Sequence, residues 1–554
     1  MHTEPRDDEP EPVQMTSGMH AVRVTDAVPQ ADADALYERA REELRRRFGY
    51  PDFRGVQPRA IHAVLEGRDV LVLMPTGGGK SLCYQIPALV LPGLTLVVSP
   101  LISLMKDQVD ALHRRGVSAT YINSTLPSSD VDARLAACAR GEIKLLYVAP
   151  ERFDSPDFRR RLDGFRVSLL AVDEAHCISE WGHDFRPSYL RLGEVRRALA
   201  CPAIALTATA TVATRNDIVT QLALREPVVI AGGFDRKNLS WHVIAARDEA
   251  EKDRALIRLL RKPRNGVAVV YAPTRKRVDA LAHMLNQAGV VAAGYHAGAS
   301  AEERHRLQDD FMRGATPVIV ATSAFGMGID KPDVRIVIHH AMPATLESYY
   351  QEAGRGGRDG GPAECVLLHR YEDRFTHEFL IDQRQPSEKV LRAVYAAVSE
   401  RRRGDSAEPI RLSLLKLAKA ARVDGGPAAA DAALRALEKA GAFRLLKPAR
   451  AGDDDARVVA FEPDSVPLER LDWEALRRGR EREFTKLEWM QRYAYTRQCR
   501  RGFVLRYFGD PSAMDHCGNC DRCLGPKDAM LRETRRPRLP LSKRLKQMVR
   551  RGRR

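Results

Sequence analysis

Lys80 and Ser81 close the stretch Pro75-Thr-Gly-Gly-Gly-Lys-Ser81, which follows the apolar run Val70-Leu-Val-Leu-Met74. A glycine-rich turn between a strand and a helix lets backbone N–H groups close around phosphates where a Cβ would intrude. Thr76, Gly77, Gly78 and Gly79 would form that cradle. Lys80 would reach the β- and γ-phosphates of ATP, and the Ser81 hydroxyl would ligate Mg²⁺. The strict pattern has glycine where this chain has Met74, and a glycine-rich surface turn with a chance Lys-Ser is the bland alternative. Asp173-Glu-Ala-His176, directly after the buried-type run Leu169-Leu-Ala-Val172, weighs against it. A carboxylate at the end of a parallel strand sits where α/β sheets bind ligands, so Asp173 suits Mg²⁺ and Glu174 suits a general base toward water. The chemistry expected is hydrolysis of ATP.

Two further sets could do chemistry. Gln351-Glu-Ala-Gly-Arg-Gly-Gly-Arg-Asp-Gly360 holds a glycine-flanked arginine pair. Arg358, with Arg355 assisting, could place a guanidinium on the γ-phosphate across a cleft; a basic surface turn is the alternative. Cys499, Cys517, Cys520 and Cys523 include two overlapping Cys-x-x-Cys steps, a tetrahedral structural Zn²⁺ pattern, with His516 as a spare ligand. The other five cysteines are scattered and outline no disulfide framework.

The elements that must carry these residues follow from the apolar pattern. Thr95-Leu-Val-Val98 and Ile204-Ala-Leu206 join the two runs above as short buried strands ending in polar or glycine-rich turns, alternating with helical stretches. The pattern stops near Arg225 and restarts at Gly266-Val-Ala-Val-Val-Tyr271 and Pro317-Val-Ile-Val-Ala321. The expected fold is α/β, with two tandem parallel-sheet domains at 35–225 and 226–385. A winged-helix-like module follows at 386–465, its helix-turn-helix around Val423-Asp-Gly-Gly426 and its strands at Phe443–Leu446 and Val458–Phe461. It could hold duplex or merely pack against its neighbours. A zinc-binding helical platform is expected at 466–530.

An acidic, proline-rich segment at 1–34 reads as disordered, with helical spacing beginning at Asp34. The net charge is +16, of which the last twenty residues supply ten positive charges and no acid, leaving +6 for the rest. The 531–554 tail is thus a polycation suited to phosphate or another acidic surface, with repair or single-strand-binding proteins as candidate partners, or a solubilising end. No apolar run reaches membrane-spanning length and no basic-then-apolar leader opens the chain, so a cytoplasmic, nucleoid-associated protein is expected.

The ordered series from Phe48 to Gly360 resembles the superfamily-two helicases and, within them, the RecQ family. The resemblance implies RecA-like domains, ATP-driven movement in the 3′ to 5′ direction along single-stranded DNA, and unwinding of forked or branched duplex in recombination and repair. Phe48-Gly-Tyr-Pro-Asp-Phe-Arg-Gly-Val-Gln57 looks like the adenine-recognition segment, implying Gln57 and Arg54 at the base. Ser99–Val109, Tyr147–Arg152, Ala205–Thr211, Val270–Arg275 and Tyr295–Gly298 match strand-binding or coupling motifs, as does Ala321–Asp330, with Asp330 toward the nucleotide. Cys177-Ile-Ser-Glu-Trp-Gly-His-Asp-Phe-Arg186 is similar to the aromatic-rich loop that couples DNA to hydrolysis, implying DNA contacts for Trp181, His183, Phe185 and Arg186. The chain departs from the family plan in placing the winged-helix segment before the cysteines. An RNA helicase of the same superfamily and a nucleic-acid-binding regulator without unwinding are the competing readings. A monomer is expected.

Overall fold

In a computed structural model, residues 30–525 are described apart from 183, 324, 326–330, 403–407 and 447–454. The first apolar runs become a seven-stranded, all-parallel sheet. Its strands are β1 (Val70–Leu73), β2 (Leu94–Val98), β3 (Ala119–Ile122), β4 (Leu145–Val148), β5 (Val167–Val172), β6 (Ala203–Thr207) and β7 (Val228–Ala231). Their order is β3-β4-β2-β5-β6-β1-β7. Only β6 separates β1 from β5. Parallel neighbours lie about 4.8 Å apart, so the turns after β1 and β5 emerge on one edge roughly 10 Å from each other. That topology brings a phosphate loop and an acidic motif ninety-odd positions apart in sequence to one site. Beneath this sheet, Asp69 and Arg196 form a buried pair at 2.8 Å, and Asp69 also accepts from the backbone N–H of Ala203 and Arg225.

The second sheet is also all parallel: β8 (Leu239–Ala245), β9 (Val267–Tyr271), β10 (Ala292–Tyr295), β11 (Val318–Ala321), β12 (Val334–His339) and β13 (Ala363–His369), in the order β10-β11-β9-β12-β13-β8. The arginine turn leaves the helix Leu346–Ala353 just before β13.

Three helices (Glu388–Ser399, Leu414–Ala420, Gly426–Lys439) and an antiparallel sheet follow, with β14 (Ile410–Ser413), β15 (Arg444–Leu446) and β16 (Ala456–Ala460) in the order β14-β16-β15. This is a winged-helix order, and its expected wing lies largely outside the described residues. The first helix of the turn, Leu414–Ala420, begins where Ile410–Ser413, paired with β16, ends; the Ser413 hydroxyl caps it by accepting from Lys416 N–H. Helix Trp473–Tyr495 then leads to helix Arg500–Tyr507 and the short turn Asp521–Leu524. The first helix begins at Gln30, so residues 30–34 are helical rather than disordered; Ala33 is fully buried there. Residues 1–29 and the basic tail from 526 lie outside the described residues. No helix among the described residues is long and apolar enough to cross a membrane.

One apolar core runs from beneath the first sheet through Phe234, Trp241, Tyr349 and Tyr350 to Tyr493, Phe508 and Cys520. The C-terminal platform therefore shares packing with both sheets. A parallel bridge joins Cys520 to Trp241 on β8, and Val243 N–H donates to the Asp521 carboxylate at 3.1 Å.

Candidate functional site

The phosphate loop folds as its residue types require. Gly77 and Gly79 take left-handed backbone angles (φ +81° and +77°), which L side chains rarely adopt. A Cβ at Gly79 would also stand 2.5 Å from Gln57 Nε2. Gln57 is buried under the loop: its Nε2 donates to the carbonyls of Gly78 (3.3 Å) and Gly79 (3.1 Å), and its Oε1 accepts from Arg54 N–H (2.8 Å). Arg54 thus reaches the loop through its backbone, while its guanidinium stacks on Tyr50. Lys80 donates to the Met74 carbonyl at 3.4 Å, and Ser81 sits at the start of helix Leu82–Val90.

Asp173 follows β5 and is buried. Burial and the neighbouring Glu174 charge push its carboxyl up to about 7, against the pull of the Lys80 ammonium. A desolvated carboxylate at this strand end is a donor type that would suit Mg²⁺. Glu174 adopts a left-handed φ of +46°, and its Oε2 lies 3.3 Å from His176 Nδ1. That imidazole nitrogen also meets the Thr207 hydroxyl at the end of β6, 2.9 Å away. The chain of contacts Glu174–His176–Thr207 ties the acidic motif to the Ala205–Thr211 motif on the intervening strand.

Arg358 reaches this edge from the other sheet. A Cβ built at Gly77 would stand 3.3 Å from Arg358 Cγ. Arg355 is buried and lies against Tyr271, whose phenol donates to the Phe325 carbonyl at 3.1 Å. Arg358 therefore faces the first domain's phosphate loop, whereas Arg355 lies against Tyr271 of its own domain. Asp330 and His183 lie outside the described residues.

The aromatic loop is anchored at both ends. Arg186 N–H donates to the Cys177 carbonyl, and the Tyr189 hydroxyl donates to the Asp173 carbonyl at 3.1 Å. Trp181 is 46% exposed, with the Arg482 guanidinium 5.3 Å from its ring centre; Lys439 stands 5.6 Å from the Phe185 ring. Both cations also pair with Glu180, and Lys486 donates to the Gly182 carbonyl at 2.8 Å. Arg186, expected to offer its charge outward, donates to Asp184 (2.9 Å) and to the Pro100 carbonyl (3.1 Å). No residue pattern pointed to Glu180, Lys439 or Arg482, because the contacts join positions some 260 to 300 residues apart.

The four cysteine sulfurs all lie within 4.8 Å of one another, with Cys517–Cys523 at 3.8 Å and Cys520–Cys523 at 3.5 Å. Tetrahedral zinc–thiolate bonds of about 2.3 Å require sulfur separations of about 3.8 Å, so the set fits Zn²⁺. His516 is exposed and stands outside the cluster.

Comparison with known proteins follows the same division. The DEAD/DEAH box helicase family matches residues 54–218, the helicase conserved C-terminal domain matches 251–360, and the RecQ zinc-binding family matches 464–524. The chain is 46% identical over 357 residues to the ATP-dependent DNA helicase RecQ of Bacillus subtilis, covering 64% of this chain and 60% of that protein. It is 44% identical to the RecQ of Pasteurella multocida over 65% of this chain and 57% of the relative. Against the probable ATP-dependent DNA helicase RecS of B. subtilis the identity is 43%, over 60% of this chain and 67% of that protein. The chain thus spans about three-fifths of the length of the RecQ relatives it matches. With helicase motor domains, a fitting thiolate cluster and this degree of identity, the chain belongs to the RecQ family.

Proposed function

We propose that this chain is an ATP-dependent DNA helicase that moves 3′ to 5′ on single-stranded DNA and separates forked or branched duplex. The observation that carries the reading is the approach of Arg358 to Gly77. Hydrolysis moves a two-domain motor only if the second domain senses the nucleotide bound by the first, and this approach supports Arg358 as the sensing residue. The polarity and the service to recombination and repair rest on the family.

In this account Lys80 and the loop N–H groups hold the phosphates, with Gln57 and Arg54 at the adenine end. Ser81 and Asp173 would hold Mg²⁺, which offsets charge on the phosphates when bound. Glu174 accepts the proton of the attacking water as its oxygen bonds to the γ-phosphorus and the bond to ADP breaks. Arg358, aided by Arg355, stabilises the charge spreading over the γ-phosphoryl oxygens. Release of that group lets the cleft reopen and shifts the strand grip. Trp181 and Phe185 offer ring faces for unpaired bases, and Tyr189 links their loop to Asp173. Zn²⁺ on the four thiolates braces the platform against β8. A monomer in the cytoplasm, at the nucleoid, with partner contacts through the basic tail, completes the reading.

The test is strand displacement on tailed, forked and four-way DNA by the wild-type chain and by Lys80→Ala, with ATPase stimulation by single-stranded DNA and RNA measured alongside. Wild type should unwind DNA and respond to DNA above RNA, while Lys80→Ala binds DNA but neither hydrolyses nor unwinds. Undiminished unwinding by Lys80→Ala would refute the assignment, and stronger stimulation by RNA would shift it to an RNA helicase.

A further inference from the structure

The segment joining the two sheets, Gly232-Gly-Phe-Asp-Arg-Lys-Asn238, contains a residue in contact with both halves of the cleft. Arg236 Nη1 donates to the Thr76 carbonyl of the phosphate loop at 3.3 Å and to the Gly354 carbonyl at 3.0 Å. Its Nη2 donates to the carbonyls of Gly356 (2.7 Å) and Gly357 (3.1 Å). One planar guanidinium therefore connects the loop that holds the phosphates to the turn that carries Arg355 and Arg358. Only arginine offers several donors in a rigid fork of this reach; an ammonium is a compact point charge.

The surrounding contacts fix that fork from outside. Asp235 pairs through both carboxylate oxygens with Arg501 on the platform helix. Phe234 stacks on Phe508 at 4.6 Å, and its carbonyl accepts from the Tyr350 hydroxyl at 2.7 Å. Asn238 donates to the Gly357 and Gly361 carbonyls at 2.8 and 2.7 Å. The joining segment is thus held by the platform on one side while Arg236 holds the nucleotide loops on the other.

We infer that Arg236 is a positioning residue of the hydrolytic cleft: it sets the approach of the arginine turn to the phosphate loop and acts through Arg358. The inference rests on the hydrolytic reading above. Both Arg236 Nη atoms donate to backbone carbonyls and Nε donates to Asn238 Oδ1 at 3.4 Å, so its loss should slow turnover without loosening ATP or DNA.

The experiment compares single-stranded-DNA-stimulated ATPase kinetics for wild type, Arg236→Ala, Arg236→Lys, Arg358→Ala and the Arg236→Ala/Arg358→Ala double variant. DNA affinity and the thermal unfolding midpoint are measured on each. Arg236→Ala should lower kcat by at least about tenfold, since small misplacement of a catalytic group is costly. KM for ATP and DNA affinity should stay within about threefold, and Arg236→Lys should recover part of kcat. The double variant should turn over no more slowly than Arg358→Ala, because the two residues act as a unit. A kcat close to wild type in Arg236→Ala overturns the inference, as do losses that multiply in the double variant. Should Arg236→Ala not fold, a folded Arg236→Lys with wild-type kcat overturns it too. A wild-type chain hydrolysing no faster than Lys80→Ala would sink the hydrolytic reading itself, whereas a hydrolysing wild type matched by Arg236→Ala would sink this inference alone.

Discussion

Arg358 lies across the interdomain cleft over Gly77, so close that a Cβ on the glycine would stand 3.3 Å from the arginine's Cγ and 3.6 Å from its Cδ. The phosphate loop and the arginine turn are separated by about 280 positions in the chain and lie on different sheets, yet a methyl group on Gly77 would touch Arg358. In the proposed function the first domain supplies the charges that hold a triphosphate and the second supplies the charge that answers its breakdown.

That contact makes Gly77 sensitive in two ways. Its left-handed backbone costs any L residue about 1–2 kcal/mol, and the added methyl group would push on Arg358. Gly141 has a similar φ of +76° with nothing within 4 Å of its would-be Cβ. Gly77→Ala should lower ATPase kcat by about tenfold or more, corresponding to at least about 1.4 kcal/mol on the barrier. Gly141→Ala should lose stability only. Steady-state hydrolysis and thermal unfolding of the two variants separate strain from catalysis.

The thiolate cluster predicts metal content and a structural consequence. Cys520 bridges to Trp241 on β8, so the metal braces the second sheet as well as its own loop. Atomic absorption should find one zinc per chain, and Cys520→Ser should lose most of it, because four thiolates close the coordination sphere. Hydrogen exchange in that variant should rise along β8 as well as at 499–523. Unchanged protection of β8 after zinc loss would confine the metal's effect to the platform.

A pH effect on stability follows from His369, which ends β13 in a fully buried position. Neither ring nitrogen has a hydrogen-bond partner among the described residues, and the nearest carboxylate, Asp373, stands 4.0 Å away. Burial pulls its pKa down to about 4, with Lys252 and Arg500 adding to the effect and Asp373 opposing it. The unfolded chain protonates this imidazole below about 6.5 while the folded one does not, so its stabilising effect is whole above 6.5 and declines as pH falls toward 4. The slope from this group is at most about 1.4 kcal/mol per pH unit. Chemical unfolding of His369→Leu across pH 4.5–7 should show a shallower fall than wild type.

Much of the candidate site was legible because its motifs are written in contiguous segments. Val70–Ser81 and Leu169–His176 each carry a strand, its turn and the reacting side chains together, so type and spacing fixed both the element and the expected role. The arginine turn was legible as a motif, although its meeting with Gly77 needed the folded chain. The platform's cysteines announced themselves by spacing. Arg236 was not legible, since four of its five acceptors are backbone carbonyls, which leave no mark on side-chain pattern. The hold of Lys439, Arg482 and Lys486 on the aromatic loop, the first two through the loop's own Glu180, was hidden for a different reason: each is an ordinary surface-type charge until the winged-helix-like module and the long Trp473–Tyr495 helix are packed against the first domain. Strand β14 was lost to its neighbouring helix, for Ile410–Ser413 is short and runs straight into the apolar pattern of Leu414–Ala420.

The most direct measurement of the cross-cleft claim is single-stranded-DNA-stimulated ATP turnover by Arg358→Ala, with binding of a fluorescent ATP analogue measured on the same preparation. Loss of an arginine that stabilises a transferring phosphoryl group costs about 10³-fold or more in kcat, and analogue binding should remain near that of wild type because Lys80 and the phosphate loop are intact. Wild-type turnover by Arg358→Ala would contradict the account.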